Sequence, residues 1–132
     1  MLGHAVTRYD VHATTSFTIG DATSLPFTDQ QFDCAFSVRF FGHLPWDVSL
    51  QVLREFNRVC RHGVVVMMYM WSPVYALREW YRRHYRPVGY PWYTLTRPQL
   101  RELFRQAGLR IVWKRSLLPL VSQGLLVRAV PA

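Results

Sequence analysis

Apolar positions along this chain fall in short runs, then at helical spacing, then in one unbroken run, and that succession predicts alternating strands and helices. Phe17-Thr18-Ile19 is a short strand-like run ending at Gly20-Asp21, and Phe32 to Val38 is a second. From Asp47 to Arg61 the spacing is helical: Val48, Val52, Leu53, Phe56, Val59 and Cys60 form one stripe, with Arg54, Glu55, Asn57, Arg58 and Arg61 mostly off it. Asp47 suits the N-cap of that helix, because its carboxylate can accept the free first-turn N–H groups. Gly63 stops it, and Val64 to Met70 is apolar without alternation, as a parallel strand buried on both faces requires.

A further helix is predicted from Pro73 to about His84, with Val74, Leu77, Trp80 and Tyr81 turned inward, followed by an aromatic loop from Arg86 to Leu95. The best-signalled element comes next. Thr96 and Gln99 stand at capping-box spacing, and Pro98 falls in the first turn, where its missing N–H does no harm. Leu100, Leu103, Phe104 and Ala107 recur at i, i+3, i+4 and i+7, and Gly108 supplies the C-terminal stop. Strands from Leu109 to Trp113 and from Leu125 to Val130 close the chain. Strand and helix in alternation around a buried middle strand predict a layered α/β sheet.

Composition narrows the class. A chain of 132 residues, half of them hydrophobic, suits one domain with a genuine core. The longest apolar stretch, Gly63 to Trp71, falls far short of the roughly 20 residues that span a bilayer, and no signal-peptide pattern follows Met1. A soluble cytoplasmic protein is the expectation. Cys34 and Cys60 lie in segments read as core, without metal-ligand spacing, so neither a disulfide nor a metal site is expected. The net charge of +8, with Lys114 the only lysine, favours anionic partners: nucleic acid, phosphorylated metabolites or acidic membrane surface. A solvated basic exterior explains it equally.

Three motifs carry a resemblance. Gly20-Asp21-Ala22-Thr23-Ser24-Leu25-Pro26-Phe27, with Asp29 and then Phe32-Asp33, resembles the GDAxxLPFxDxxFD signature of the small-molecule class I S-adenosylmethionine-dependent methyltransferases. Glu55 to Gly63 resembles that family's ExxRVLKPGG turn, with His62 and Val64 standing where the family has Pro and Gly. Ala107-Gly108-Leu109 is similar to its AGF corner.

A strand ending in Gly-Asp sets a carboxylate at the carboxyl edge of a sheet, where ligands of open α/β folds bind. The resemblance implies that Asp21 accepts a hydrogen bond from the cofactor's adenine, that the Ala22 N–H reaches a ring nitrogen, and that Leu25 packs on the adenine face. It sets Ser37, Val38 and Arg39 beside the methionine part of S-adenosylmethionine, and His43 near the transferring methyl group. Asp21 reads equally as a turn cap, Ser37 and Val38 as strand-end packing, and His43 as a loop histidine.

The family's GxGxG loop, and the acidic residue that takes the ribose, have no counterpart in the sequence and would lie upstream of residue 1. The implied fold is therefore a partial Rossmann-like class I methyltransferase sheet lacking its first two strands, with helices on both faces. From the family's strand order 3-2-1-4-5-7-6, the Phe32–Val38 strand becomes an exposed edge. Either the Phe17 strand moves in beside it or two copies meet there as a homodimer.

Three functions compete. In the first, a methyl group passes to a small-molecule acceptor in a pocket lined by Tyr81, Tyr85, Tyr90, Trp92 and Tyr93. In the second, a non-catalytic dimeric binding or assembly module keeps the fold and has lost the cofactor loop. In the third, Arg78, Arg82, Arg83, Arg86 and Arg97, interleaved with Trp80, Tyr81, Tyr85 and Tyr90, bind nucleic acid.

Overall fold

The computed structural model describes residues 16–85, 92–116 and 123–132. Strand β1 (Ala35–Ser37) leads through a 3-10 turn (Phe41–His43) into α1 (Trp46–Val59), and β2 (Val64–Tyr69) follows. Helix α2 (Pro73–Tyr85), α3 (Arg97–Gln106), β3 (Leu109–Ser116) and β4 (Gly124–Pro131) complete the order. The four strands form one sheet in the order β1-β2-β4-β3, the arrangement expected for the last four strands of the resembled fold. Strand β1 runs parallel to β2, whereas β4 is antiparallel to both β2 and β3. The chain has a partial Rossmann-like α/β fold.

Register explains the core. Val64 pairs with Ala129 and Val66 with Val127, so these four side chains share one face of the sheet, and all are at most 1% exposed. Val52 and Leu53 of α1, with Leu100, Leu103 and Phe104 of α3, cover that face at similarly low exposure. The neighbours along β2 turn the other way, and there Val65 and Tyr69 are only half-buried. Gly63, at φ +96°, lets β2 start against β4: a Cβ there would stand 2.1 Å from the Ala129 carbonyl oxygen.

The capping box of α3 forms as expected. The Gln99 side chain accepts from the Thr96 N–H at 2.9 Å, and the Gln99 N–H donates to the Thr96 hydroxyl at 3.5 Å. Asn57 of α1 seals the far end of the helix by donating to the carbonyls of Ala107 and Gly108 at 3.1 and 3.2 Å.

Several expectations need correction. Residues 16–20 form no strand, since no described residue pairs with them, and the Phe17 run does not move in beside β1. Only Ala35–Ser37 of the Phe32–Val38 run joins the sheet, and Phe32 makes a single bridge to Cys60. Asp47 lies in the first turn of α1 rather than at its N-cap, which is Pro45 and makes no side-chain bond. Cys34 is exposed, since the chain has not yet entered the sheet at that point; Cys60 is buried, and both thiols are free. The inward face assigned to α2 is wrong: Val74, Leu77, Trp80 and Tyr81 are 57–67% exposed.

Candidate functional site

The carboxyl ends of the parallel strands β1 and β2 lie side by side, and three short segments converge on them. After β1 the chain reaches Arg39, which adopts φ +58°, a conformation unusual for a residue with a Cβ. That twist leads into the 3-10 turn, which presents His43 at the surface. From the far side, residues 92–95 run back along the end of β2. The Leu95 N–H donates to the Tyr69 carbonyl at 2.8 Å, and the Tyr93 N–H donates to the Gly42 carbonyl at 2.9 Å.

These bonds bring three rings together. Trp92 packs against His43 with centroids 4.6 Å apart and against Tyr69 at 5.0 Å. Gly42 is required at the centre, since a Cβ would meet the Tyr69 ring at 2.8 Å and the Trp92 ring at 2.9 Å. A cavity of about 200 Å3 opens beside this cluster, lined in part by Phe41, Trp46, Tyr69 and Tyr93. A larger one of about 550 Å3 lies at the end of β2, between Trp71, Arg97, Lys114 and Gln123.

A second candidate element is the loop that begins at Asp21. The Asp21 Oδ1 accepts from the Thr23 N–H at 2.8 Å and from the Thr23 hydroxyl at 2.7 Å, which holds the carboxyl below the ordinary aspartate range. The turn-cap role is thus filled through Oδ1, and among the described residues no hydrogen bond is made to Oδ2. Ala22 and Leu25 are half-buried, with Ala22 against the core cluster.

What holds this loop is a pair that the motif contains but that carried no assigned role. Glu55 and Arg58 of α1 make a two-point pair, Nε to Oε1 at 2.9 Å and Nη2 to Oε2 at 2.7 Å. Arg58 also donates to the carbonyls of Leu25 and Phe27 and to the Asp29 carboxylate, while Glu55 accepts from the Leu25 N–H at 2.8 Å. The Arg58 guanidinium holds the Glu55 carboxyl below its usual range, and the two carboxylates raise the guanidinium in turn. The ExxR spacing, three residues along a helix, is the signal that could have identified this clamp.

The expected residues divide by place. His43, Trp92 and the Tyr93 backbone meet at the carboxyl edge, while Ser37 is half-buried and Val38 and Arg39 are exposed at the end of β1. Tyr81 and Tyr85 pack against each other at 4.7 Å on the exposed face of α2, and no ring contact joins them to Trp92 or His43. Tyr90 lies outside the described residues, as does Arg86. Among the described residues no group of three His, Cys, Asp or Glu could hold a metal ion.

Comparison with known proteins follows the same line. Residues 1–68 match the family described as the methyltransferase domain. No curated protein matches the chain. Among solved structures, an S-adenosylmethionine-dependent methyltransferase from Methanosarcina mazei is 16% identical with a TM-score of 0.73, covering 98% of this chain and 74% of that one. The magnesium protoporphyrin IX methyltransferase of Synechocystis PCC 6803 with bound SAH is 11% identical at the same TM-score, covering 99% of this chain and 57% of that one. A chain from the complex of the Haloferax volcanii Trm112 methyltransferase activator with a methyltransferase is 21% identical, also at 0.73, covering 98% and 67%. At these identities the likeness is one of fold, and the chain spans 57–74% of these neighbours' length.

Proposed function

We propose, from the premise that the chain belongs to the methyltransferase-domain family, that its carboxyl sheet edge binds S-adenosylmethionine and presents a small-molecule acceptor to it. The observation that carries this reading is the convergence of His43, Trp92 and Tyr69 where β1 and β2 end. The adenine end of the cofactor fits the residues present. Asp21 offers an ionised carboxylate with one oxygen uncommitted, Ala22 a backbone N–H, and Leu25 an apolar side chain.

When bound, the cofactor supplies a sulfonium-activated methyl, so the protein's task is positioning. Val38 and Arg39 border the methionine end, and the left-handed turn at Arg39 opens the backbone there. His43, held against the Trp92 ring, accepts the acceptor's proton through its imidazole. Trp92 and Tyr93 wall the acceptor from water.

Calorimetric titration of S-adenosylhomocysteine into the protein tests the reading. Micromolar binding that Asp21→Ala abolishes is the expected result. An absence of heat at high concentration rejects cofactor binding by this chain.

A second reading, a dimeric assembly module, is favoured by the edge strand. On β1, Phe36 is 69% exposed, and Val38 beside it is 44% exposed, with no strand of the described residues pairing on that side. In this reading two cytoplasmic copies pair across β1. Light scattering at micromolar concentration then gives a dimer that Phe36→Lys dissociates, and a monomeric parent protein removes the idea.

A further inference from the structure

Helix α2 is built inside out. Of its 13 residues, Val74, Leu77, Trp80, Tyr81 and Tyr85 stand 57–68% exposed. At about 3.6 residues per turn these positions, together with His84, fall within one continuous arc of the helix surface. Tyr75 and Glu79, four residues apart on the opposite side, are half-buried and engaged with partners. Tyr75 and Glu79 thus mark the less exposed side of the helix, and its apolar side is turned to the exterior.

The exposed face is also ordered. Trp80 packs on His84 at 5.0 Å and Tyr81 on Tyr85 at 4.7 Å, so the rings form two adjacent pairs along the axis. A contiguous apolar surface of this kind marks an interaction site rather than scattered surface residues.

The chemistry of the face decides what covers it. Four of the six residues here are rings with a polar edge: an indole, two phenols and an imidazole. Such side chains favour a boundary that is apolar on one side and wet on the other. Arginine occupies positions 78, 82 and 83 of the same helix against the single acid Glu79, and the chain as a whole carries +8. A surface that is apolar at depth and anionic at its face complements both features.

We propose that α2 is an interfacial helix that lies flat on an anionic lipid bilayer and sinks Val74, Leu77, Trp80 and Tyr81 into the headgroup–acyl boundary. At about 20 Å long the helix covers only part of a bilayer's depth, and no helix among the described residues is long and apolar enough to cross one. Docking of this kind asks nothing of methyl transfer and stands or falls independently of it.

The test uses the whole chain with vesicles of phosphatidylcholine alone and of phosphatidylcholine mixed with phosphatidylglycerol. Cosedimentation about tenfold or more tighter on the anionic vesicles at low salt is expected, weakening as salt is raised. Leu77→Asp and Tyr81→Asp, made separately, each cut binding at least about tenfold while the melting temperature holds, because both sites are exposed. Arg78→Glu keeps the apolar face and weakens only the anionic-vesicle binding; it carries the test if either aspartate variant melts early. No cosedimentation with anionic vesicles overturns the proposal, as does binding that neither aspartate variant changes. A lipid-free dimer dissolved by Leu77→Asp, with no vesicle binding, overturns it in favour of a second copy as the occupant.

Discussion

Helices α2 and α3 carry the same kind of apolar stripe and put it to opposite use. In α3, Leu100, Leu103 and Phe104 are at most 1% exposed against the sheet. In α2, Val74, Leu77 and Tyr81 recur at comparable spacing and stand 60–67% exposed. Both helices also begin on a side-chain cap, since the Ser72 hydroxyl accepts the Tyr75 N–H at 3.2 Å as Thr96 accepts that of Gln99. Local propensity and capping therefore build both helices alike. What separates them is the surface each one meets, and periodicity says which residues share a face without saying where that face points.

The largest effect that could break this comparison is a truncation on each stripe. Phe104→Ala is expected to lower unfolding free energy by about 3–5 kcal/mol, because it empties a fully enclosed site. Leu77→Ala is expected to stay within about 0.5 kcal/mol. Chemical denaturation of the two variants measures both. A loss of several kcal/mol at Leu77 would mean that α2 packs inward after all.

Asn57 gives a smaller, sharper test. Its side chain ties the end of α3 to α1 through two carbonyls. The Gly108 carbonyl also accepts from the Ala132 N–H at 3.0 Å, so Asn57→Ala chiefly removes the donor to Ala107 and should cost about 1 kcal/mol, read as a shift in denaturation midpoint.

The caps come next. Thr96→Ala should cost about 1 kcal/mol of global stability, because α3 unfolds only with the core. Ser72→Ala should leave the global midpoint in place and instead speed amide exchange within α2. Equal global losses would show that both helices belong to one cooperative unit.

The smallest effect is electrostatic. On the surface of α3, Glu102 accepts from Arg105 at 2.6 Å and from Gln106 at 2.7 Å, which holds its carboxyl down at about 2. A depressed folded-state value means the contribution is complete above the unfolded value, about 4. It then fades as pH falls toward 2. The stability difference between the parent and Glu102→Gln should shrink over that interval, and by little, because exposed pairs are screened. A difference that persists at pH 2 would point to packing rather than charge.

Much of the molecule was legible beforehand because its signals are local. The capping box at Thr96 and Gln99 and the stripe through Val52, Leu53 and Phe56 each depend on residues a few positions apart, whereas the helix expected to run to Gly63 ends at Val59. The Gly20–Phe27 motif identified the loop, and Glu55 and Arg58 were in view as part of a motif. Their role was not, because it depends on where α1 sits relative to residues 25–29, some 30 positions away in the chain. Cys34 was misread for a related reason: an apolar run marks a strand only as far as a neighbour exists to pair with it. The same lack of a partner left Phe17-Thr18-Ile19 outside the sheet.

By itself the sequence determined the order of helices and strands from Ala35 onward, the ends of α3 and the family to which its motifs point, since caps, stripes and turns are encoded within a few residues of one another. Only the tertiary structure decided that Trp92 rests on His43, that Arg58 closes the Asp21 loop, and that the apolar face of α2 turns outward. Each of these depends on the relative placement of segments far apart in the chain, and contact between distant segments leaves no period in the sequence to read.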